Sequence, residues 1–234
     1  VIVDAEKPYA RKHLISQNIA NGKANVENPH PAVSILNFHY AWPPETVAMN
    51  YGLNLAIGDN ETGFKGTGDV HYRMEGWAFI LTGGALYSNL DYSFTVGHED
   101  GTFELPEKQP GGGGPALRRQ LRGLSEFIHS FDFVRMAPDR SVIASPLPEG
   151  LAAQALAEPG KQYAIYLYRP GGPAPDASVE FSLDMPRGRY RVEWVEPMTG
   201  AAEAEEQVQH LGGQRTLSSP PFNEDVALRV VARR

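Results

Sequence analysis

Residues 33–63, VSILNFHYAWPPETVAMNYGLNLAIGDNETG, read as strand, helix, strand, and that reading decides the fold. Val33, Ser34, Ile35, Leu36, Asn37 and Phe38 form a short run rich in β-branched and aromatic residues, which ends in His39-Tyr40. Pro43-Pro44 interrupts the run, a helical stretch follows over residues 45–51, and a second apolar run over residues 53–57 ends in Asp59-Asn60-Glu61-Thr62-Gly63. Two strands joined by a helix run parallel in a right-handed crossover. Both strands then point the same way, so polar residues just past their C-terminal ends meet at one rim, where parallel α/β folds bind ligands. His39, Tyr40 and Glu61 are thereby placed to share a site.

The same alternation extends outward. Residues 1–12 read as the end of a helix or a connector, and residues 13–18 as a strand with the polar end Gln17-Asn18. Beyond Glu61, a glycine-rich loop over residues 62–68 leads into a helix over residues 69–82, with Asp69 as its N-cap and Gly83-Gly84 as its stop. Residues 85–87 and 90–94 flank Ser88-Asn89 as the next strand and its polar end. Strand ends near Asn18, His39, Glu61 and Asp91 make half of an eight-stranded barrel. A long loop over residues 97–114 contains four consecutive glycines, Gly111 to Gly114, without the Lys-Ser/Thr of a phosphate-binding loop, and reads as a flexible connector. Leu117, Leu121, Leu124, Phe127, Ile128 and Phe131 then recur at helical spacing.

From about Asp139 the texture changes. Seven short runs of β-type composition, at residues 141–146, 152–157, 162–168, 178–183, 190–195, 205–209 and 226–231, are separated by Pro and Gly. They predict a small antiparallel β-sandwich. The boundary falls between residues 134 and 141, giving a partial (β/α)8 TIM barrel over residues 1–137 and a sandwich over residues 138–234. Alternating Tyr163, Tyr166, Tyr168, Tyr190 and Trp194 read as core, with a carbohydrate-binding face as the alternative.

Composition narrows the partners. A net charge of −7 with no basic patch argues against nucleic acid. No apolar run approaches the roughly 18–20 residues of a membrane span. With 0 cysteines there is neither a disulfide nor a thiolate metal site. His98-Glu99-Asp100 lacks the spacing of a metal motif, so no metal or cofactor is expected. The opening VIVDAEKPYARK has neither an initiator Met nor the pattern of a signal peptide, and reads as starting partway through a longer protein.

Residues 59–64, 72–77, 86–94, 126–133 and 194–200 (WVEPMTG) resemble the C-terminal half of a (β/α)8-barrel glycoside hydrolase of the retaining, two-glutamate clan that includes cellulase-type families. More narrowly, the chain is similar to bacterial glycoside hydrolases with an apiosidase-like barrel and a collagen-binding-type C-terminal domain. The resemblance implies that Glu61 is the nucleophile and that His39 and Tyr40 border it and the sugar. It also implies an oligo- or polysaccharide substrate and a secreted or periplasmic location. Tyr40 and Trp42 are candidates for stacking on a sugar, and Asn18 and Asp91 for binding its hydroxyls. The family's acid/base glutamate, at the end of strand four, has no counterpart here. Retaining hydrolysis needs two carboxyl groups about 5–5.5 Å apart, so this chain is expected to be incomplete by itself. Its open sheet edges then call for the missing half or for self-association. Arg73 reads as a helix-surface ion pair. A non-catalytic carbohydrate-binding or adhesion module is the alternative, and a structural accessory domain a third.

Overall fold

The computed structural model describes residues 1–233. After the short helix α1 (Ile2–Glu6), strands β1 (Ile15–Asn21), β2 (Val33–His39), β3 (Ala56–Glu61) and β4 (Leu86–Tyr87) lie side by side in chain order, all parallel. Helix α2 (Glu45–Asn50) joins β2 to β3, α3 (Asp69–Leu81) joins β3 to β4, and α4 (Pro115–His129) follows the long loop. The remaining strands are β5 (Ala137–Pro138), β6 (Ala152–Glu158), β7 (Gln162–Tyr168), β8 (Glu180–Met185), β9 (Gly188–Val195), β10 (Ala202–His210), β11 (Gly213–Ser218) and β12 (Asp225–Arg233). Six of them form an antiparallel sheet in the order β10-β9-β12-β7-β6-β5, while β8 and β11 pair as a separate ribbon.

Three apolar layers follow from this order. One, with Leu36, Phe38, Val47, Ile57 and Phe79, lies between the parallel sheet and helices α2 and α3. A second, with Trp77, Leu124, Phe127, Tyr166 and Ala227, lies between α3, α4 and one face of the six-stranded sheet. The third, with Tyr163, Ile165, Phe181, Leu183 and Trp194, fills the space between the other face and the β8/β11 ribbon. Strand β7 is therefore buried along its whole length. That explains its continuous YAIYLY run, since a strand covered on both faces has no use for polar alternation. The rings of Tyr163, Tyr166, Tyr168, Tyr190 and Trp194 are all buried, so they form no open carbohydrate-binding face.

Helix α3 serves two layers at once and is buried continuously from Tyr72 to Phe79. At its middle, a Cβ on Gly76 would come within 2.9 Å of the Tyr87 ring. The glycine costs helix propensity, about 1 kcal/mol, and lets β4 close onto the helix. Trp77 stacks on Tyr166 with ring centroids 5.4 Å apart.

Arg73, next to the site-facing end of α3, is not a surface ion pair. It is 2% exposed and grips Asp225 of β12 with two parallel bonds, Nε to Oδ2 at 3.0 Å and Nη2 to Oδ1 at 2.9 Å. Nη2 also donates to Glu224 at 2.6 Å and Nη1 to Gln120 of α4 at 3.0 Å, while the Tyr166 hydroxyl donates to Asp225 at 2.7 Å. Burial works against the charge on Arg73, but the bonds and charge of Asp225 and Glu224 outweigh it and raise the guanidinium pKa further.

Several local expectations move. The second strand of the central unit begins at Ala56, not Leu53, because residues 51–53 form a 3-10 turn closed by Asn54 at φ 54°. Asp69 is the first residue of α3 rather than its cap, which is Gly68, and its carboxylate accepts from Gln120 at 3.0 Å. Strand β4 is two residues long and does not resume at residues 90–94. Residues 140–142 form a 3-10 turn where a strand was expected, and β11 had no counterpart among the expected strands.

Replacing Arg73 leaves Asp225 buried without its countercharge. Arg73→Met is expected to lower stability by about 3–5 kcal/mol, read by chemical denaturation. Arg73→Lys should recover only part of that, because an ammonium cannot make the paired bonds.

Candidate active site

The parallel register sets His39 of β2 beside Glu61 of β3 at the C-terminal rim. The pairing slips by one residue between Phe38 and His39, so the rim residues leave the strict alternation below them. Just past β2 the backbone of Tyr40 turns left-handed, at φ 54°, and its N–H donates to the Glu61 carbonyl at 2.8 Å. This turn brings the Tyr40 hydroxyl to Glu61 Oε1, to which it donates at 2.6 Å. His39 Nδ1 stands 3.6 Å from Oε2, too far for a hydrogen bond. The Glu61 side chain is 35% exposed, and Oε2 accepts no hydrogen bond among the described residues. The hydrogen bond to Glu61 pushes the Tyr40 phenol up to about 12, with burial adding to it, so Tyr40 stays a donor across the ordinary pH range.

Behind this rim lies a sealed acidic layer. Asp59, on the helix side of β3, is fully buried, and its Oδ2 accepts from the Ala41 N–H at 3.2 Å. Its other oxygen has no partner among the described residues. Burial, with Glu75 nearby, raises the Asp59 carboxyl to about 7. Glu75 of α3 accepts from the Thr62 hydroxyl at 2.6 Å and from the Tyr87 hydroxyl at 3.2 Å, and burial raises its pKa despite those bonds. His71, one turn earlier, has its Nε2 3.8 Å from Glu75, and burial lowers its pKa. Thr62 directly follows Glu61, so Glu75 fixes the backbone on which the rim carboxylate is mounted.

Of the six residues singled out in the sequence, Glu61, His39 and Tyr40 come together. The other three lie in surroundings of their own, although the Trp42 backbone N–H donates to the Tyr40 carbonyl at 2.9 Å. Asn18 is exposed on β1, in register with Asn37, below the rim. Trp42 packs against His71 and Tyr168, with ring centroids 5.7 Å away in each case. The carboxylate of Asp91 is engaged by Arg118 at 2.7 Å, by the Ser93 hydroxyl at 2.6 Å and by the Gly114 N–H at 3.0 Å. The four-glycine run beside it is packed rather than loose, with Gly111 and Gly112 buried against Tyr92 and Tyr72. Asp59 and Glu75 stand in the sequence at a strand end and on the helix that follows, with no site role assigned to either. Their signal is position: Asp59 follows the apolar Ala56-Ile57 of β3, and Glu75 precedes the apolar stretch from Gly76 to Leu81 of α3. No cluster of three or more His, Cys, Asp or Glu suited to a metal occurs among the described residues.

No family model and no curated protein matches the sequence. Solved structures do match in fold. A protein described as a glycoside hydrolase superposes on 98% of this chain with a TM-score of 0.70 at 15% identity. A glycoside hydrolase family 5 protein from Bacteroides vulgatus superposes on 98% with a TM-score of 0.66 at 15% identity. A family 30 endoxylanase from Clostridium papyrosolvens covers 88% with a TM-score of 0.52 at 12% identity. The chain spans 60%, 57% and 51% of the lengths of these three proteins. What it shares with them is the glycoside hydrolase fold.

The acidic layer has a consequence for stability. A carboxyl at about 7 when folded, against about 3.9 when unfolded, holds its proton more tightly in the native state. The resulting stabilisation is complete below pH ~4 and is lost as pH rises through 7. Glu75 acts with the same sign, and His71, whose pKa is lowered, acts with the opposite sign near its ordinary range. Urea unfolding from pH 4 to 8 should therefore show falling stability in the wild type, and Asp59→Asn should flatten that slope and be the more stable protein at pH 8.

Proposed function

We propose that this chain carries the nucleophile of a retaining glycoside hydrolase acting on an oligo- or polysaccharide. The carrying observation is the asymmetric dressing of Glu61: the Tyr40 hydroxyl occupies Oε1, while Oε2 at the rim has no hydrogen-bond donor among the described residues. A nucleophilic carboxylate needs this arrangement, one oxygen held to fix the plane and the other free to attack. In this reading Glu61 Oε2 forms a bond to the anomeric carbon as the bond from that carbon to the leaving oxygen breaks. The leaving oxygen takes the bond's electron pair and a proton from a general acid. Water then attacks the same carbon, gives its proton to the conjugate base of that acid, and releases Glu61 as a carboxylate. Tyr40 bears on the charge that Glu61 loses and regains, and His39 is positioned to meet the sugar beside it.

The general acid comes from outside residues 1–233. Asp59 and Glu75 are sealed from solvent and cannot meet a glycosidic oxygen. The parallel sheet supports the same reading. Its edge strand β1 exposes Ser16, Gln17 and Asn18, and an unpaired parallel edge is ready to continue a sheet. The four strands are then the last four of a (β/α)8 barrel whose first half brings the acid. The antiparallel strands form a β-sandwich accessory domain. A bacterial, secreted or periplasmic enzyme of the apiosidase-like kind, with a collagen-binding-type sandwich, is the narrower form of the proposal.

An activated glycoside tests the nucleophile without the acid, because a dinitrophenolate leaves unprotonated. Incubation of the chain with a panel of 2,4-dinitrophenyl 2-deoxy-2-fluoroglycosides should leave a glycosyl ester on Glu61, identified by mass spectrometry of the peptides. Glu61→Gln should take no label, and Tyr40→Phe should change the labelling rate by about 10–100-fold, the worth of a hydrogen bond to a charged group. Labelling elsewhere, or none with any sugar of the panel, would leave the carbohydrate-binding module as the better account.

A further inference from the structure

Four non-glycine residues have left-handed backbone among the described residues: Asn28, Tyr40, Asn54 and Phe64. Two are asparagines, which tolerate that region. The other two are aromatic residues, for which it is a true outlier, and they touch each other. The Phe64 and Tyr40 rings lie 6.0 Å apart, and Phe64 lies 6.3 Å from Tyr92 on its other side. Tyr40 is the residue that holds Glu61. Phe64 is not there to fill a core, because it is 56% exposed.

The loop that presents Phe64 is held on both sides. The hydroxyl of fully buried Tyr72 accepts from the Lys65 N–H at 3.1 Å and from the Gly112 N–H at 3.1 Å, and donates to the Gly66 carbonyl at 2.8 Å. The Gly66 N–H donates to the Pro110 carbonyl at 3.0 Å. Two residues before Phe64, Thr62 is tied to Glu75. Gly112 lies so close to the Tyr72 ring that a Cβ there would come within 2.5 Å of it. Strain of this kind persists only where the surroundings over-determine it, and such positions gather at ligand sites. A glycine at position 64 would relieve the strain, so the ring itself must be what the position serves.

We propose that Phe64, flanked by Tyr40 and Tyr92, is a stacking platform for a pyranose ring of the sugar chain, next to the sugar bound at Glu61. The identity of this ligand rests on the glycosidase reading; the exposed, strained ring of Phe64 does not. The C–H-rich face of a pyranose packs on an aromatic face, which is apolar and carries negative charge density. Tyr40 touches Phe64 on one side and bonds Glu61 on the other, so one polymer can reach both.

Binding can be measured on the chain without any turnover. Affinity electrophoresis in gels containing xylan, hydroxyethyl cellulose or xyloglucan should retard the wild type with at least one polymer. Phe64→Ala should bind that polymer about 5–10-fold more weakly, while Phe64→Trp should keep most of the retardation. Phe64→Gly should lose binding with a melting midpoint unchanged or raised by about 2–4 °C, which separates loss of the platform from loss of the fold. Equal retardation of Phe64→Ala and wild type, or retardation of the wild type by none of the polymers, overturns the proposal. Retention of binding together with failure of the fluoroglycoside label would keep the platform and remove the glycosidase.

Discussion

A guanidinium shut away from water between two sheets is the constraint on which the rest of the structure depends. Arg73 is nearly inaccessible, and it is satisfied only where Asp225, Glu224 and Gln120 converge on it from β12, its preceding turn and α4. Moving the antiparallel sheet away would strand both Arg73 and Asp225, and an unpaired buried charge costs several kcal/mol. Helix α3 is thereby held against the six-stranded sheet, with Trp77 stacked on Tyr166 beside the ion pair. The antiparallel part of the chain is therefore not a loosely tethered appendage.

The same helix reaches the site with its other polar groups. Tyr72 holds the loop after Glu61 by three backbone groups, and Glu75 holds Thr62. A single buried helix thus connects the ion pair at one residue to the mounting of the rim carboxylate one and two positions away. Above it, two consecutive strand ends bring Tyr40 and Glu61 together at the rim. Tyr40 and Phe64 both depart from the usual backbone region, and both do so within hydrogen-bonded frames that leave their rings at the rim. The sealed carboxyls below differ from Glu61 in solvent access, and access separates a buried structural acid from one able to meet a ligand.

Much of this was legible in the order of residues. Strand β7 coincides with the apolar run at Gln162 to Tyr168, and α4 with the helical spacing from Pro115 onward. The parallel placement of His39, Tyr40 and Glu61 at one rim follows from two short strands and the helix between them. Other features were out of reach. Arg73 looked like a surface residue because its partner Asp225 is 152 positions away. The glycines at 111–114 looked like slack chain because the rings that fill the space beside them belong to Tyr92 and Tyr72. The contact of Trp42 with Tyr168, from the antiparallel sheet, was out of reach for the same reason.

Sequence alone therefore determined the periodic elements, their succession and the identity of the rim carboxylate, because periodicity, turn chemistry and strand direction are properties of neighbours a few residues apart. Only the tertiary structure decided which charges are buried, which oxygen of Glu61 the Tyr40 hydroxyl holds, and which aromatic rings face solvent. Those depend on groups brought together from distant parts of the chain, where desolvation and hydrogen-bond geometry, rather than local preference, set the outcome.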